Sequence, residues 1–189
     1  MSPEAQRRRS IALARIGRIG RIGRIDSELM TCLAEEVRTA LGRDVIVAER
    51  LPLPAHSFSR QRDQWHATII LDALANAKRP EWLRLLGIVD VDLYASPFNF
   101  VFGEADADRG VAVFSTARLR VGSEGMRQLP RRASTEAIHE LGHTFGLGHC
   151  SRPRCVMWFS NTLAETDRKD PRPCPDHARA LARALEANR

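Results

Sequence analysis

No stretch of this 189-residue sequence approaches the roughly 18 to 20 uninterrupted apolar residues that a membrane-spanning helix needs, so a helical membrane protein is excluded. The start of the chain also lacks the apolar segment of a secretory signal, because arginines interrupt it every few residues. Aromatic residues are scarce, at 6% with a single tyrosine, and none is interleaved with the basic residues near the N-terminus. A stacking platform for single-stranded nucleic acid is therefore missing. The body of the chain has no charge bias either. The formal net charge is +6, but seven arginines and one acid fall within residues 1–25, and the remainder holds 22 basic and 22 acidic residues. No nucleic-acid partner and no membrane partner are expected on that ground. The four cysteines, with no signal before them, suit a reducing, cytoplasmic compartment, where clustered thiols are metal ligands more often than disulfides.

With 43% apolar and 28% charged residues, the chain suits one globular domain with a sizeable core. Residues 1–24 read as a basic N-terminal extension and first strand, marked by the triplet repeat Arg15-Ile16-Gly17, Arg18-Ile19-Gly20, Arg21-Ile22-Gly23. A period of three fits neither a helix nor a strand well. From Leu29 to Leu41 apolar residues recur at helical spacing and Gly42 supplies the stop, with Cys32 on the apolar stripe as a core residue. Asp44–Ala48 reads as a buried strand, and Trp65, Ile69, Ile70 and Leu74 as one face of a second helix. Strands are expected over Leu85–Tyr94, Phe98–Phe102 and Val111–Ser115, with Glu104–Gly110 as the turn joining the last two. A helix opens at Ser134. His56 and His66 read as ordinary surface or loop residues. The alternation of elements predicts an α/β or α+β chain with one mixed sheet.

The chemistry concentrates in residues 139–149, which read HELGHTFGLGH. On a helix His139 and His143 lie one turn apart and project to the same side, where both imidazoles can grip one cation. Glu140 sits beside the open coordination position instead of on the metal. Gly146 allows a left-handed turn that swings His149 back as a third ligand. Three neutral imidazoles leave a fourth place for water, the arrangement of a catalytic zinc. Directly afterwards come Cys150, Cys155, Cys174 and His177, which together would form a closed Cys3His tetrahedron suited to a structural zinc. A disulfide, or free thiols with His177 merely opening the last helix, are the alternatives. Two zinc ions per chain are expected.

These residues resemble the archaemetzincins, a family of metzincin-type zinc metallopeptidases. The resemblance rests on His139–His149, Cys150, Cys155-Val156-Met157, Phe159-Ser160-Asn161, Asp167, Lys169 and Cys174, together with the upstream runs Gly23–Asp26, Leu51–Pro54, Asp90–Leu93 and Val101–Gly103. It implies an α+β zincin fold over residues 25–189, with a twisted mixed β-sheet, an active-site helix and a Met-containing turn. By position it makes His139, His143 and His149 the ligands of a catalytic zinc, Glu140 the general base and Met157 the apolar floor beneath the metal. Three departures stand out. His177 occupies a place where the family usually has cysteine, the spacing from Met157 to Cys174 is about one residue short, and Trp158 replaces a small polar residue.

The activity so implied is hydrolysis of peptide bonds in a peptide or protein substrate, by a zinc-bound water that Glu140 activates. Some metzincins carry a tyrosine two residues after the methionine; here that residue is Phe159, and Tyr94, ending a predicted strand, is not expected to replace it. Phe98–Phe102 is expected to be the edge strand that pairs with extended substrate. A zinc-stabilised peptide-binding protein without catalytic activity is the alternative from another class. The sequence leaves the oligomeric state open, with a monomer expected.

Overall fold

The structure, a computed structural model, describes residues 9–17, 25–122 and 125–188. Among the described residues nine strands and five α-helices succeed one another as β1 (Ser10–Gly17), α1 (Ser27–Leu41), β2 (Val45–Val47), β3 (Leu51–Pro52), β4 (Phe58–Ser59), β5 (Gln64–His66), α2 (Ala67–Ala77), β6 (Trp82–Val89), β7 (Leu93–Tyr94), β8 (Gly103–Asp106), β9 (Val111–Ser115), α3 (Gly125–Thr144), α4 (Leu163–Arg168) and α5 (Pro175–Ala187). The main sheet runs β2-β1-β6-β9-β8, with β3 also paired to β1. All its pairings are parallel except β8 with β9. The mixed α+β architecture expected from the sequence is the one observed.

The alternation of side chains along each strand decides which helix covers which face. Ile11 and Leu13 of β1, with Ala112 and Phe114 of β9, join the core built with α1 and α3. Ala12, Ala14 and Ile16, with Val111 and Val113, join the core built with α2 on the opposite face. Both faces being covered, β1 is buried from Ile11 to Ala14 and again at Ile16, and the first triplet, Arg15-Ile16-Gly17, is the end of this strand. The rest of the repeat lies outside the described residues. Helix α1 begins and ends as its sequence dictates. The Asp26 carboxylate accepts from the Leu29 N–H at 2.8 Å, and Gly42 closes it with φ 60°, its N–H bonded to the Arg38 carbonyl.

Several elements differ from expectation. At the sheet edge β2 leaves Ile46 and Val47 exposed instead of buried, and Cys32 is only partly buried, outside the core. Trp65 is in a strand, not on the second helix: β5 pairs with β4 and β7, and the Trp65 ring packs on Phe58 at 5.1 Å. The expected strand 85–94 is two strands, because after Val89 the carboxylates of Asp90 and Asp92 turn to Arg120 and Arg118. Phe98–Phe102 is a loop. The Phe98 N–H bonds back to the Ala95 carbonyl and the Val101 N–H to the Leu93 carbonyl. The edge strand is instead β8, in the stretch that reads as a turn. Helix α3 starts at Gly125, nine residues before Ser134, with Pro130 accommodated in its second turn.

Candidate metal centre and active-site cleft

Helix α3 is buried along nearly its whole second half, which fixes the side chains it carries. Arg84 secures its end by donating from Nε to the Thr144 carbonyl at 3.0 Å while its guanidinium lies over the Phe145 ring. The chain then reverses through Gly146, at φ 81°, with the Gly146 N–H on the His143 carbonyl and the Leu147 N–H on the Gly142 carbonyl. This reversal carries His149 back beside the helix. Each pair of the three imidazoles is in ring contact, with centroids 4.6 Å apart for His139–His143, 5.5 Å for His139–His149 and 4.7 Å for His143–His149.

The hydrogen bonds of the rings define their free nitrogens. His139 Nδ1 lies 2.7 Å from the Val156 carbonyl and His143 Nδ1 2.7 Å from the Leu147 carbonyl. A carbonyl only accepts, so both Nδ1 atoms carry the proton and both Nε2 atoms present lone pairs. Those two Nε2 atoms stand 3.1 Å apart. Two lone pairs facing each other at that distance repel unless a cation lies between them, and nitrogens about 2.0–2.1 Å from one tetrahedral zinc are about 3.3 Å apart. Burial, then the charge of Lys169 and the neighbouring His143, holds His139 well below the ordinary histidine range. Burial lowers His143 and His149 too. The donor set is therefore neutral imidazole, which fits a zinc ion.

Glu140 follows with its carboxyl in the same cleft, fully buried and pushed well above the ordinary range by burial and by the Glu136 carboxylate, against the opposing Lys169. Glu136 and Lys169 were not singled out as a pair by the sequence. They form an ion pair of 3.4 Å with both side chains almost fully buried, and Thr166 Oγ1 donates to the same Glu136 oxygen at 3.3 Å. A signal was present, since Glu136 lies one turn before Glu140 on the same helix. Gly103, which the sequence marks only as part of the run Val101–Gly103, belongs to the same site. A Cβ on it would lie 2.5 Å from Glu140 Oε1, so only glycine lets the first residue of β8 sit against this carboxylate. Met157 is fully buried, its Sδ against Gly142 between the two helical histidines, where a Cβ would come within 2.5 Å.

The cleft above this group has a volume of about 260 Å³ and is walled by Phe98, Phe100, Phe102 and Phe159. Phe159 packs on His149 at 5.0 Å and approaches Phe98 at 6.2 Å. The loop carrying Phe98 and Phe100 is pinned from behind. Arg118 makes a bidentate pair with Asp92 at 2.5 and 2.7 Å and lies over the Phe100 ring, while Gln64 donates to both Asp92 and the Asn99 carbonyl. Tyr94 is not in the cleft wall; its ring packs on His66 and under Arg62. His66, expected to be an ordinary surface residue, is half-buried, and its Nδ1 has no hydrogen-bond partner among the described residues.

Cys150, Cys155, Cys174 and His177 also converge, their ligand atoms all within 4.8 Å of one another. Cys150 and Cys174 sulfurs are 3.9 Å apart, far beyond a disulfide bond, and Cys174 Sγ is 3.4 Å from His177 Nδ1. Thiolates about 2.3 Å from one zinc stand about 3.8 Å apart. His177 Nε2 lies 3.2 Å from the Gly148 carbonyl, which leaves Nδ1 as the free lone pair facing the thiols. Burial pushes the Cys155 thiol up to about 11. Burial is the largest single influence on Cys174 and raises it, but the His177 backbone N–H, the His177 ring and the neighbouring thiols together outweigh it and bring Cys174 down to about 6.

Known proteins place the chain. The model of peptidase family M54 matches residues 25–183. The archaemetzincin of Methanopyrus kandleri is 41% identical over 160 residues, covering 85% of this chain and 90% of that protein. The crystal structure of the M. kandleri archaemetzincin superposes with a TM-score of 0.84 at 39% identity, covering 96% of this chain and 99% of the other. A zinc-dependent peptidase from Methanocorpusculum labreanum superposes with a TM-score of 0.77 at 27% identity, covering 91% and 100%. With a matching family model over most of its length and a buried HExxH helix at its centre, the chain belongs to peptidase family M54, the archaemetzincins, and is a metallopeptidase.

Proposed function

We propose that the chain hydrolyses peptide bonds with Glu140 as general base beside a zinc ion held by His139, His143 and His149. The observation that carries this reading is the pair of unprotonated Nε2 atoms 3.1 Å apart, each with its Nδ1 proton committed to a backbone carbonyl. When bound, zinc supplies Lewis acidity toward a water molecule and the scissile carbonyl. Glu140 accepts the proton of the attacking water and delivers it to the departing amine. The proton affinity that burial and Glu136 give Glu140 suits the accepting step, and Lys169 keeps Glu136 from overriding it. Met157 and the aromatic walls keep bulk water from the floor and sides of the cleft. Phe159 offers no hydroxyl, so no side chain at that position donates to the developing oxyanion.

The same proposal gives Cys150, Cys155, Cys174 and His177 a second, structural zinc, closed to substrate by having four protein ligands. Substrate is a peptide or an extended protein segment, laid along the outer edge of β8. Metal analysis of the purified chain, paired with a panel of short peptides, tests the reading. Two zinc ions per chain and cleavage that Glu140→Gln abolishes without loss of metal are expected. Binding of peptides without any cleavage would turn the reading into that of a zinc-stabilised peptide binder, and a metal-free chain would remove its basis.

A further inference from the structure

We infer that Glu104 selects substrates bearing a lysine or arginine on the N-terminal side of the scissile bond. This rests on the peptidase reading and on the placement of the edge strand, which the sequence hid. Strand β8 hydrogen-bonds to β9 on one side and ends the sheet on the other, and its residues line the cleft that holds His139 and Glu140. An unpaired edge of this kind takes up an extended peptide as one more strand.

The faces of β8 follow from its register. Gly103 opposes Phe114 and Ala105 opposes Ala112, residues of the core beneath α3. Glu104 opposes Val113 and Asp106 opposes Val111, residues of the core beneath α2. Glu104 therefore projects to the α2 face, where Thr68 Oγ1 donates to its carboxylate oxygens at 2.9 and 3.1 Å. A substrate residue directly across the edge from Glu104 projects its side chain to the same face, with Cβ atoms about 4.5–5.5 Å apart. In an antiparallel pairing the peptide runs from Asp106 towards Gly103, and Gly103 abuts Glu140. The residue facing Glu104 therefore precedes the bond at the general base.

Charge states what that residue should be. Asp106 and Asp72 are both engaged by Arg109, at 2.6 Å each. Glu104 has no lysine or arginine among the ion pairs of the described residues, and the charges it feels include those of Asp106 and Asp72. The carboxylate is half-buried, and burial raises its hold on a proton against the Thr68 hydroxyl that donates to it. A substrate ammonium or guanidinium supplies a counter-charge in a partly desolvated place, whereas a substrate carboxylate meets three acids offset by one guanidinium.

The test uses the zinc-loaded full chain and peptides identical except for Arg, Ala or Glu at successive positions. Cleavage sites are read by mass spectrometry, and binding to Glu140→Gln is read by fluorescence anisotropy. Arg is expected to exceed Glu by about tenfold, the size of one charge-assisted hydrogen bond, at a single position upstream of the cut. In Glu104→Gln that ratio should fall to near one, and Glu104→Lys should reverse it in favour of Glu. Cleavage with no charge preference upstream of the cut, or a preference that survives in Glu104→Gln, overturns the inference while leaving the peptidase reading intact. Charge-selective binding without cleavage by the unmodified chain does the opposite. Neither binding nor cleavage of any peptide counts against both.

Discussion

The two ligand clusters are neighbours in sequence, His149 and Cys150 being consecutive, yet they are built on opposite principles. The histidine triad draws two ligands from one buried helix, fixes their tautomers with backbone carbonyls, and leaves one side facing an aromatic cleft. The cysteine cluster gathers one ligand each from a turn, a loop and the approach to α5, plus one from that helix, and encloses itself. Openness suits chemistry and closure suits bracing.

The sharpest way to break this contrast is at the carboxylate that only the open site possesses. Glu140→Gln should reduce peptide hydrolysis by about a thousandfold with unchanged zinc content by elemental analysis. If turnover persists, the open site is not where the bond is broken. Gly103→Ala comes next. The added methyl displaces the Glu140 carboxylate, and kcat should fall roughly 10- to 100-fold while zinc content holds at both sites. A loss of metal would mean that Gly103 supports the helix and not the base.

Cys174→Ser probes the other cluster. It should lower zinc from two ions per chain to one and lower the melting temperature, with hydrolysis per molecule of zinc-bearing folded chain reduced far less than in Glu140→Gln. Equal damage to both properties would mean that the clusters are one unit. The smallest expected effect is a difference in pH response. The triad rings are held below the ordinary histidine range, so they have no proton to lose near neutrality, and metal affinity there should be nearly flat above pH 7. Cys155 is pushed up to about 11 and must shed a proton to ligate, so affinity at the cysteine cluster should climb with pH over the same range and weaken as pH falls. Chelator competition on variants retaining one cluster measures both slopes.

The site was more legible in the sequence than the sheet, and the reason is physical. A helical turn and a glycine reversal are local, so the spacing of His139, His143 and His149 states their geometry before any tertiary contact forms. The cysteine cluster follows from short spacings in the same way. Strand assignments depend on partners far along the chain. Phe98–Phe102 has the apolar, aromatic composition of a strand, but its rings serve as cleft walls and its backbone bonds go to Leu93, Ala95, Ser115 and the Gln64 side chain. Gly103–Asp106 has the composition of a turn, because Glu140 forbids a side chain at its first residue and solvent borders the rest. The buried pair of Glu136 and Lys169, 33 positions apart, had no local trace beyond the position of Glu136 on the helix.

His177 holds a consequence of its own. An imidazole has two working ends, and here one points at the thiols while the other grasps the carbonyl of Gly148, the residue just ahead of the third histidine. A sulfur atom in the same place would have only one. The ring thus acts as a tie rod from α5 to the strip of backbone on which His149 rides, so that filling the distant pocket would tighten the seat of a ligand in the near one.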